Sequence, residues 1–344
     1  FRSIYEIMHR ENCVAQISTV GECKIYLEDF MPYDLMLEES NDFDKRIKNA
    51  MSFYSWCASR MIPPDRTYAK EILNSIGASQ SVTDRERAQI ALSYHCLSLL
   101  DVFWVKEENE KIRFEDINLF AHSLSNALVD IALRGHQMTV TNAHLLANDL
   151  STGGLYPKAW VRKEDGFYLY KDGGRDAVER EVLASKICRC FDCHQVLYEQ
   201  GMFENEPVSI SKIMTSQRYS LVTYAAYDVY CTNHDWNTLD KILELDAPSY
   251  YMMNILDYLV GNTDRHWENW GLLVDNETNQ PIRLHDLMDF NRAFQQYDTP
   301  EGANCLTVGK RHLSQKDAAV EAVRNIGLNQ VRQVEHTVFS GHPA

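Results

Sequence analysis

From Asn41 to Met61 apolar and charged residues mix without Gly or Pro, which predicts a helix stopped by Pro63-Pro64. Thr83-Asp84-Arg85-Glu86 has the capping-box pattern, and Ile90, Tyr94 and Leu97 then fall on one helical face. A further helix is predicted over about Glu115–Arg134, with Gly135 as its left-handed terminator. Residues 1–149 therefore read as a mainly helical N-terminal region, with no ligand, metal or nucleic-acid signal of its own.

Beyond residue 150 the pattern changes to short strands and hairpins. Tyr156–Val161 and Phe167–Lys171 flank the polar turn Lys163-Glu164-Asp165-Gly166, and the pair Gly153-Gly154 lets backbone amides approach an anion closely. Asp176 is placed as a helix cap with Glu179 at the capping-box position, which puts Glu181 on the inward face with Val178. A strand lysine, Lys171, followed ten residues later by an inward helix glutamate, Glu181, is the arrangement in which a carboxylate orients a phosphate-binding lysine. Glu179 is the rival partner. Val208–Ile213 reads as a strand, while Ser220–Cys231, Thr238–Leu245 and a segment from Pro248 to Leu259 read as helices.

That last helix leads into Gly261-Asn262-Thr263-Asp264-Arg265-His266-Trp267-Glu268-Asn269. Gly271–Val274 and Pro281–Leu284 form the arms of a hairpin around the turn-forming Asp275–Gln280, and Asp289-Phe290-Asn291 follows. The hairpin predicts that Asn269 and Asp289 return to one place. Phosphoryl transfer from ATP needs a base for the hydroxyl proton and oxygen ligands for magnesium. Asp264, then Asn269 and Asp289, supply that set at the Asp-x-x-x-x-Asn spacing of a kinase catalytic loop. Asp286 competes with Asp289 for the metal role, and the apolar Leu287-Met288 before Asp289 favours the latter.

Composition narrows the classes. With 45% hydrophobic and 24% charged residues, 344 residues suffice for two domains with a real core. A net charge of −15 argues against a broad nucleic-acid surface. No apolar run is long enough to span a bilayer, and Phe1-Arg2-Ser3 does not read as a signal peptide. Nine cysteines without a regular framework fit a reducing cytoplasm. The run Cys188, Cys190, Cys193, His194 lacks a second ligand pair, so core filling explains it better than zinc.

These residues give a resemblance to the HipA-like serine/threonine kinases, bacterial toxin-type relatives of protein and phosphatidylinositol kinases. It is carried by Gly261–His266 with Asn269 and Asp289, and upstream by Ser151–Lys158, Lys171 and Glu181. The resemblance covers roughly Ser151–Phe294, and the helical first 149 residues do not match the family's usual N-terminal subdomain. Together with that helical region it implies an α+β chain with a bilobal kinase-like core over 150–344, a small lobe at about 150–215 and a large lobe at about 216–344. It implies Asp264 as catalytic base, Asn269 and Asp289 as magnesium ligands, and Lys171 on the ATP phosphates with Glu181 holding it. Ser151, Thr152, Gly153 and Gly154 would form the phosphate loop, with Ser151 and Thr152 as autophosphorylation candidates. Arg265 and a buried His266 would shape the loop. Asp289-Phe290-Asn291 has Asn where the kinase pattern has Gly. The expected substrate is a protein Ser or Thr hydroxyl, with an antitoxin-like protein partner and no membrane or direct nucleic-acid binding. The alternatives are a pseudokinase or toxin-antitoxin interaction module, a lipid or small-molecule kinase, and a metal phosphohydrolase built around His285-Asp286.

Overall fold

Buried positions gather in the second half of Ile4–His9 (β1) and through Asn12–Ser18 (β2), and the two strands pair antiparallel with a register shift at Ile7/Met8. Cys23–Ile25 (β3) and Phe103–Glu107 (β4) complete an antiparallel sheet in the order β3-β2-β1-β4. The computed structural model of the chain describes residues 2–61, 83–122, 158–171, 173–203, 205–294 and 299–328.

The chain forms two units. One comprises Phe1–Phe167, Thr215–Ser220 and Asn276–Asn279; the other comprises Tyr168–Met214, Leu221–Asp275 and Gln280–Ala344. The boundary expected near residue 150 lies outside the described residues.

In the first unit the predicted helices appear as Phe43–Ser59 (α1), capped by the Asp42 side chain on Lys45 N, and Asp84–Ser93 (α2), whose Thr83–Glu86 capping box is formed. The sheet in this region was not legible as such, because the buried positions of β1 and β2 do not alternate cleanly. The helix expected from Glu115 is also corrected. It spans only Phe114–Ile117 (α3), because Asn118 leaves helical geometry and its carboxamide turns back to donate to the Phe114 carbonyl at 3.1 Å. The rest of that prediction, beyond His122, is outside the described residues.

Lys158–Lys163 (β5) and Gly166–Lys171 (β6) are the expected strands around the Lys163–Gly166 turn. In the second unit β6 pairs antiparallel with Glu206–Lys212 (β8), which pairs with Tyr198–Phe203 (β7). Between them runs Arg175–Cys188 (α4), which buries Val178, Glu181, Val182, Ser185 and Cys188 on one side. Its cap is Gly174 at φ 77°, with no side-chain cap bond, not Asp176. Glu179 is bonded to Arg175 at 2.8 Å.

The remainder of this unit carries the loop of interest. Tyr219–Thr223 (β9) precedes Tyr224–Asn233 (α5), so the helix expected from Ser220 begins four residues later, after a strand. Thr238–Leu259 (α6) is broken at Asp246, where the backbone turns non-helical ahead of Pro248. The Asp246 carboxylate accepts from Ser249 N at 3.2 Å, capping the second half as the separate helix expected there. Gly271–Asp275 (β10) and Gln280–Leu284 (β11) form the predicted hairpin. A Cβ on Gly271 would lie 2.1 Å from the Val222 carbonyl oxygen, so only glycine allows this approach of β10 to β9. Gln315–Ile326 (α7) packs on α6. Among the described residues no helix is long and apolar enough to cross a membrane.

Candidate active site

Lys171 ends β6 opposite Ser209 of β8, and both are buried. Its ammonium donates to Glu181 Oε1 at 3.0 Å and to Asp289 Oδ1 at 2.6 Å. Glu181, 1% exposed, takes a second bond from the Ser209 hydroxyl at 2.6 Å. Burial would lower the Lys171 pKa, but the two carboxylates outweigh it and hold the ammonium above its ordinary value. Lys171 therefore stays charged.

Asp289 is placed by backbone contacts. Val196 N donates to the Leu287 carbonyl at 2.8 Å and Leu287 N to the His194 carbonyl at 3.0 Å, which ties the segment before Asp289 to the segment before β7. Asp289 N donates to the Tyr198 hydroxyl at 3.0 Å. Burial and the negative charge of Glu181 keep that phenol protonated, well above its ordinary pKa. Asp289 itself sits at φ 62°. The left-handed residue is thus the Asp and not Asn291, and such a conformation at a residue with a Cβ costs about 1–3 kcal/mol. The surrounding contacts hold it there.

The loop after α6 is organised by Arg265, buried at 2% exposure. Its guanidinium grips Asp257 of α6 through two bonds of 2.9 and 2.8 Å. One nitrogen, Nη1, also donates to the backbone carbonyls of both Asn269 (3.3 Å) and Met288. The loop and the residue preceding Asp289 therefore hang on one side chain. Asn262 reinforces the junction, donating to Asp257 Oδ1 at 3.0 Å and accepting from Asp264 N at 3.4 Å.

Asn269 uses its amide nitrogen to bond the Asp264 carbonyl, closing the five-residue interval into a ring. Its Oδ1 is buried without a hydrogen-bond partner. A buried amide oxygen left unsatisfied is costly unless a ligand completes it. The Asp264 carboxylate is about one-third exposed, and Arg292 approaches it at 3.6 Å.

The structure thus joins Glu181, Lys171 and Asp289 by ion pairs and Asn269 to Asp264 by a hydrogen bond, with Arg265 bridging the two groups through the Asn269 and Met288 carbonyls, and Ser151, Thr152, Gly153 and Gly154 lie outside the described residues. Asp286 is paired with Arg283 at 2.8 Å, so Asp289 is the carboxylate that faces Lys171. His266 is exposed, not buried, and shapes the loop by accepting from Glu268 N at 3.2 Å. Four participants were not anticipated: Ser209, Tyr198, Asp257 and Arg292. Ser209 could have been found from the register opposite Lys171. Asp257, a carboxylate eight residues before Arg265 on the inward face of α6, was the other available signal.

Among the described residues no three His, Cys, Asp or Glu side chains cluster as a metal site. Asn269 Oδ1 and the Asp289 carboxylate nevertheless fit magnesium, which takes one or two protein oxygens and draws the rest from water and phosphates. His285, the centre of the phosphohydrolase alternative, is fully enclosed, with Nδ1 on the Asp286 carbonyl at 2.7 Å. Burial lowers its pKa to about 4. The unfolded chain takes up that proton below about 6.5 and the folded one does not, so stability is lost as pH falls from about 6.5 to 4. The expected loss is about 3 kcal/mol. Urea denaturation at stepped pH should show it, and His285→Gln should make that part of the profile shallower, the remainder coming from His9, which burial also lowers to about 4.

No family model matches the chain, and no curated protein matches it. Several solved structures are similar to it, among them a kinase and a toxin-antitoxin complex. The crystal structure of a Helicobacter pylori proinflammatory kinase, CtkA, shares 15% identity over 56% of this chain and 83% of its own, with a TM-score of 0.42. The Shewanella oneidensis MR-1 toxin-antitoxin complex of HipA, HipB and operator DNA matches 98% of this chain and 93% of its own at 11% identity, with a TM-score of 0.48. At these values the likeness carries no functional weight, which falls on the site residues.

Proposed function

We propose that the chain is an ATP- and magnesium-dependent kinase of the HipA-like type that transfers the γ-phosphate to a Ser or Thr hydroxyl of a protein. The observation that carries this reading is the ion-pair chain Glu181–Lys171–Asp289, in which three separate segments converge and which sits one guanidinium away from the Asp264–Asn269 loop. In this reading Lys171 exchanges its Asp289 contact for phosphate oxygens while Glu181, itself fixed by Ser209, keeps the ammonium in place. Asp264 orients the acceptor hydroxyl and takes its proton. Asn269 Oδ1 and Asp289 hold magnesium, which when bound neutralises charge on the phosphates. The phosphate loop at Ser151–Gly154 and its autophosphorylation belong to the same proposal. The toxin-type part, with an antitoxin-like protein partner, rests on the motif resemblance alone.

The test combines two measurements on the purified chain: calorimetry with ATP and magnesium, and transfer from γ-labelled ATP followed by mapping of the labelled residue. Asn269→Ala and Asp289→Ala are expected to weaken magnesium-ATP binding about tenfold or more, since each removes a charge-assisted or otherwise unmet contact of about 1.5–3 kcal/mol. Equal affinity in wild type and both variants would remove the metal assignment. Binding without any phosphate transfer would instead select the pseudokinase alternative.

A further inference from the structure

Trp267 lies three residues after Asp264 and is 42% exposed, and Leu306, equally exposed, stands against it. The two are joined by the Trp267 indole N–H, which donates to the Leu306 carbonyl at 3.2 Å.

Both walls are rigid. The Trp267 ring meets Tyr224 edge-on at 5.0 Å, and the Trp267 carbonyl accepts from Ala225 N at 3.0 Å, so the start of α5 anchors it. Next to Leu306, the Thr307 hydroxyl donates to Asn254 Oδ1 at 2.5 Å and the Thr307 carbonyl accepts from the Tyr250 hydroxyl at 3.0 Å, both partners on α6. The loop between Asp264 and Asn269 is a pair of tight turns, His266 N on the Asp264 carbonyl and Asn269 N on the His266 carbonyl. Three residues span at most about 11 Å even when extended, and these turns shorten that. A polypeptide lying with its hydroxyl at Asp264 advances about 3.3 Å per residue. The shelf is therefore within the span of its neighbours up to three positions from the acceptor.

Resting on the kinase reading above, we infer that the Trp267–Leu306 shelf selects the substrate: the acceptor is a polypeptide with a bulky apolar side chain within three residues of the phosphorylated Ser or Thr. The indole edge and the leucine side chain present apolar area to solvent, and the polar groups around them already have partners: the indole N–H on the Leu306 carbonyl, Ala225 N on the Trp267 carbonyl and the Tyr250 hydroxyl on the Thr307 carbonyl. An aliphatic side chain covers this area without breaking a hydrogen bond, whereas a charged one would lose hydration there and gain no partner from either side chain. Small-molecule and headgroup acceptors would leave the shelf uncovered.

The experiment uses the full chain and a peptide set with one Ser, in which Leu or Gly occupies each position from three before to three after it. Phosphate transfer is measured as kcat/KM, and binding of the matching Ser→Ala peptides is measured by calorimetry without turnover. Covering a leucine side chain predicts a preference for Leu at one or more positions of about ten- to hundredfold. Trp267→Ala should bring that preference to within about twofold, Leu306→Ala should reduce it, and Trp267→Phe should keep most of it. Magnesium-ATP affinity should be unchanged in all three. A preference that survives both alanine variants overturns the inference, as does Trp267→Ala lowering Leu and Gly peptides equally. The two readings fail separately. Transfer with no Leu preference leaves a kinase and removes the shelf, whereas Trp267-dependent binding of Leu peptides without any transfer keeps the shelf and removes the kinase.

Discussion

Asp264→Asn is expected to lower phosphate transfer by about 10²- to 10⁴-fold, the range found when a positioned general base is removed. The change is close to isosteric, and the loop is held by main-chain atoms of this residue that the substitution keeps. Its carbonyl accepts from Asn269 and its N–H donates to Asn262. Among the described residues the carboxylate's one ion pair is with Arg292 at 3.6 Å, with both side chains substantially exposed. A pair of that kind adds little in water. Unfolding midpoints should therefore match wild type, and magnesium-ATP affinity should change little, because the proposed metal ligands and Lys171 are intact. The loss should appear in kcat. Wild-type turnover in Asp264→Asn would take the base away from this residue, while a large loss of nucleotide affinity would move Asp264 into the metal site.

The spacing of Asp264, Asn269 and Asp289 was readable because each piece is local. A helix ends at Gly261, a turn-rich stretch at Asp275–Gln280 forces a hairpin, and the hairpin returns the chain. The Lys171–Glu181 pair was readable for a similar reason, since strand and helix periodicity each fix one of its members. What escaped was set by contacts far apart in sequence. Tyr198 reaches Asp289 across 91 positions and Glu181 meets Ser209 across 28. The strain also escaped: the kinase pattern has its Gly at the position of Asn291, but the left-handed residue is Asp289, tied in place through Leu287 and the Tyr198 hydroxyl. In the N-terminal region, propensity at Asn118 was overridden by a side chain that competes for its own helix carbonyl.

Arg265→Met is expected to cost about 3–5 kcal/mol in unfolding free energy, because it strands the Asp257 carboxylate in a buried position. Among the described residues only Asn262 would still donate to that side chain. Function should fall for a different reason. Without the guanidinium, nothing joins the Asn269 and Met288 carbonyls, and Phe290 loses the cation 5.1 Å from its ring. The double variant Asp257→Asn/Arg265→Met separates the two effects. Removing the orphaned charge should restore a large part of the lost stability, as expected when both members of a buried pair go together. Magnesium-ATP affinity and phosphate transfer should stay at the level of the single variant, since the clamp is still missing. If the double variant regained wild-type activity along with its stability, Arg265 would be a stabilising residue only, and the proposed convergence of Asn269 with Asp289 would have to be maintained by the hairpin itself.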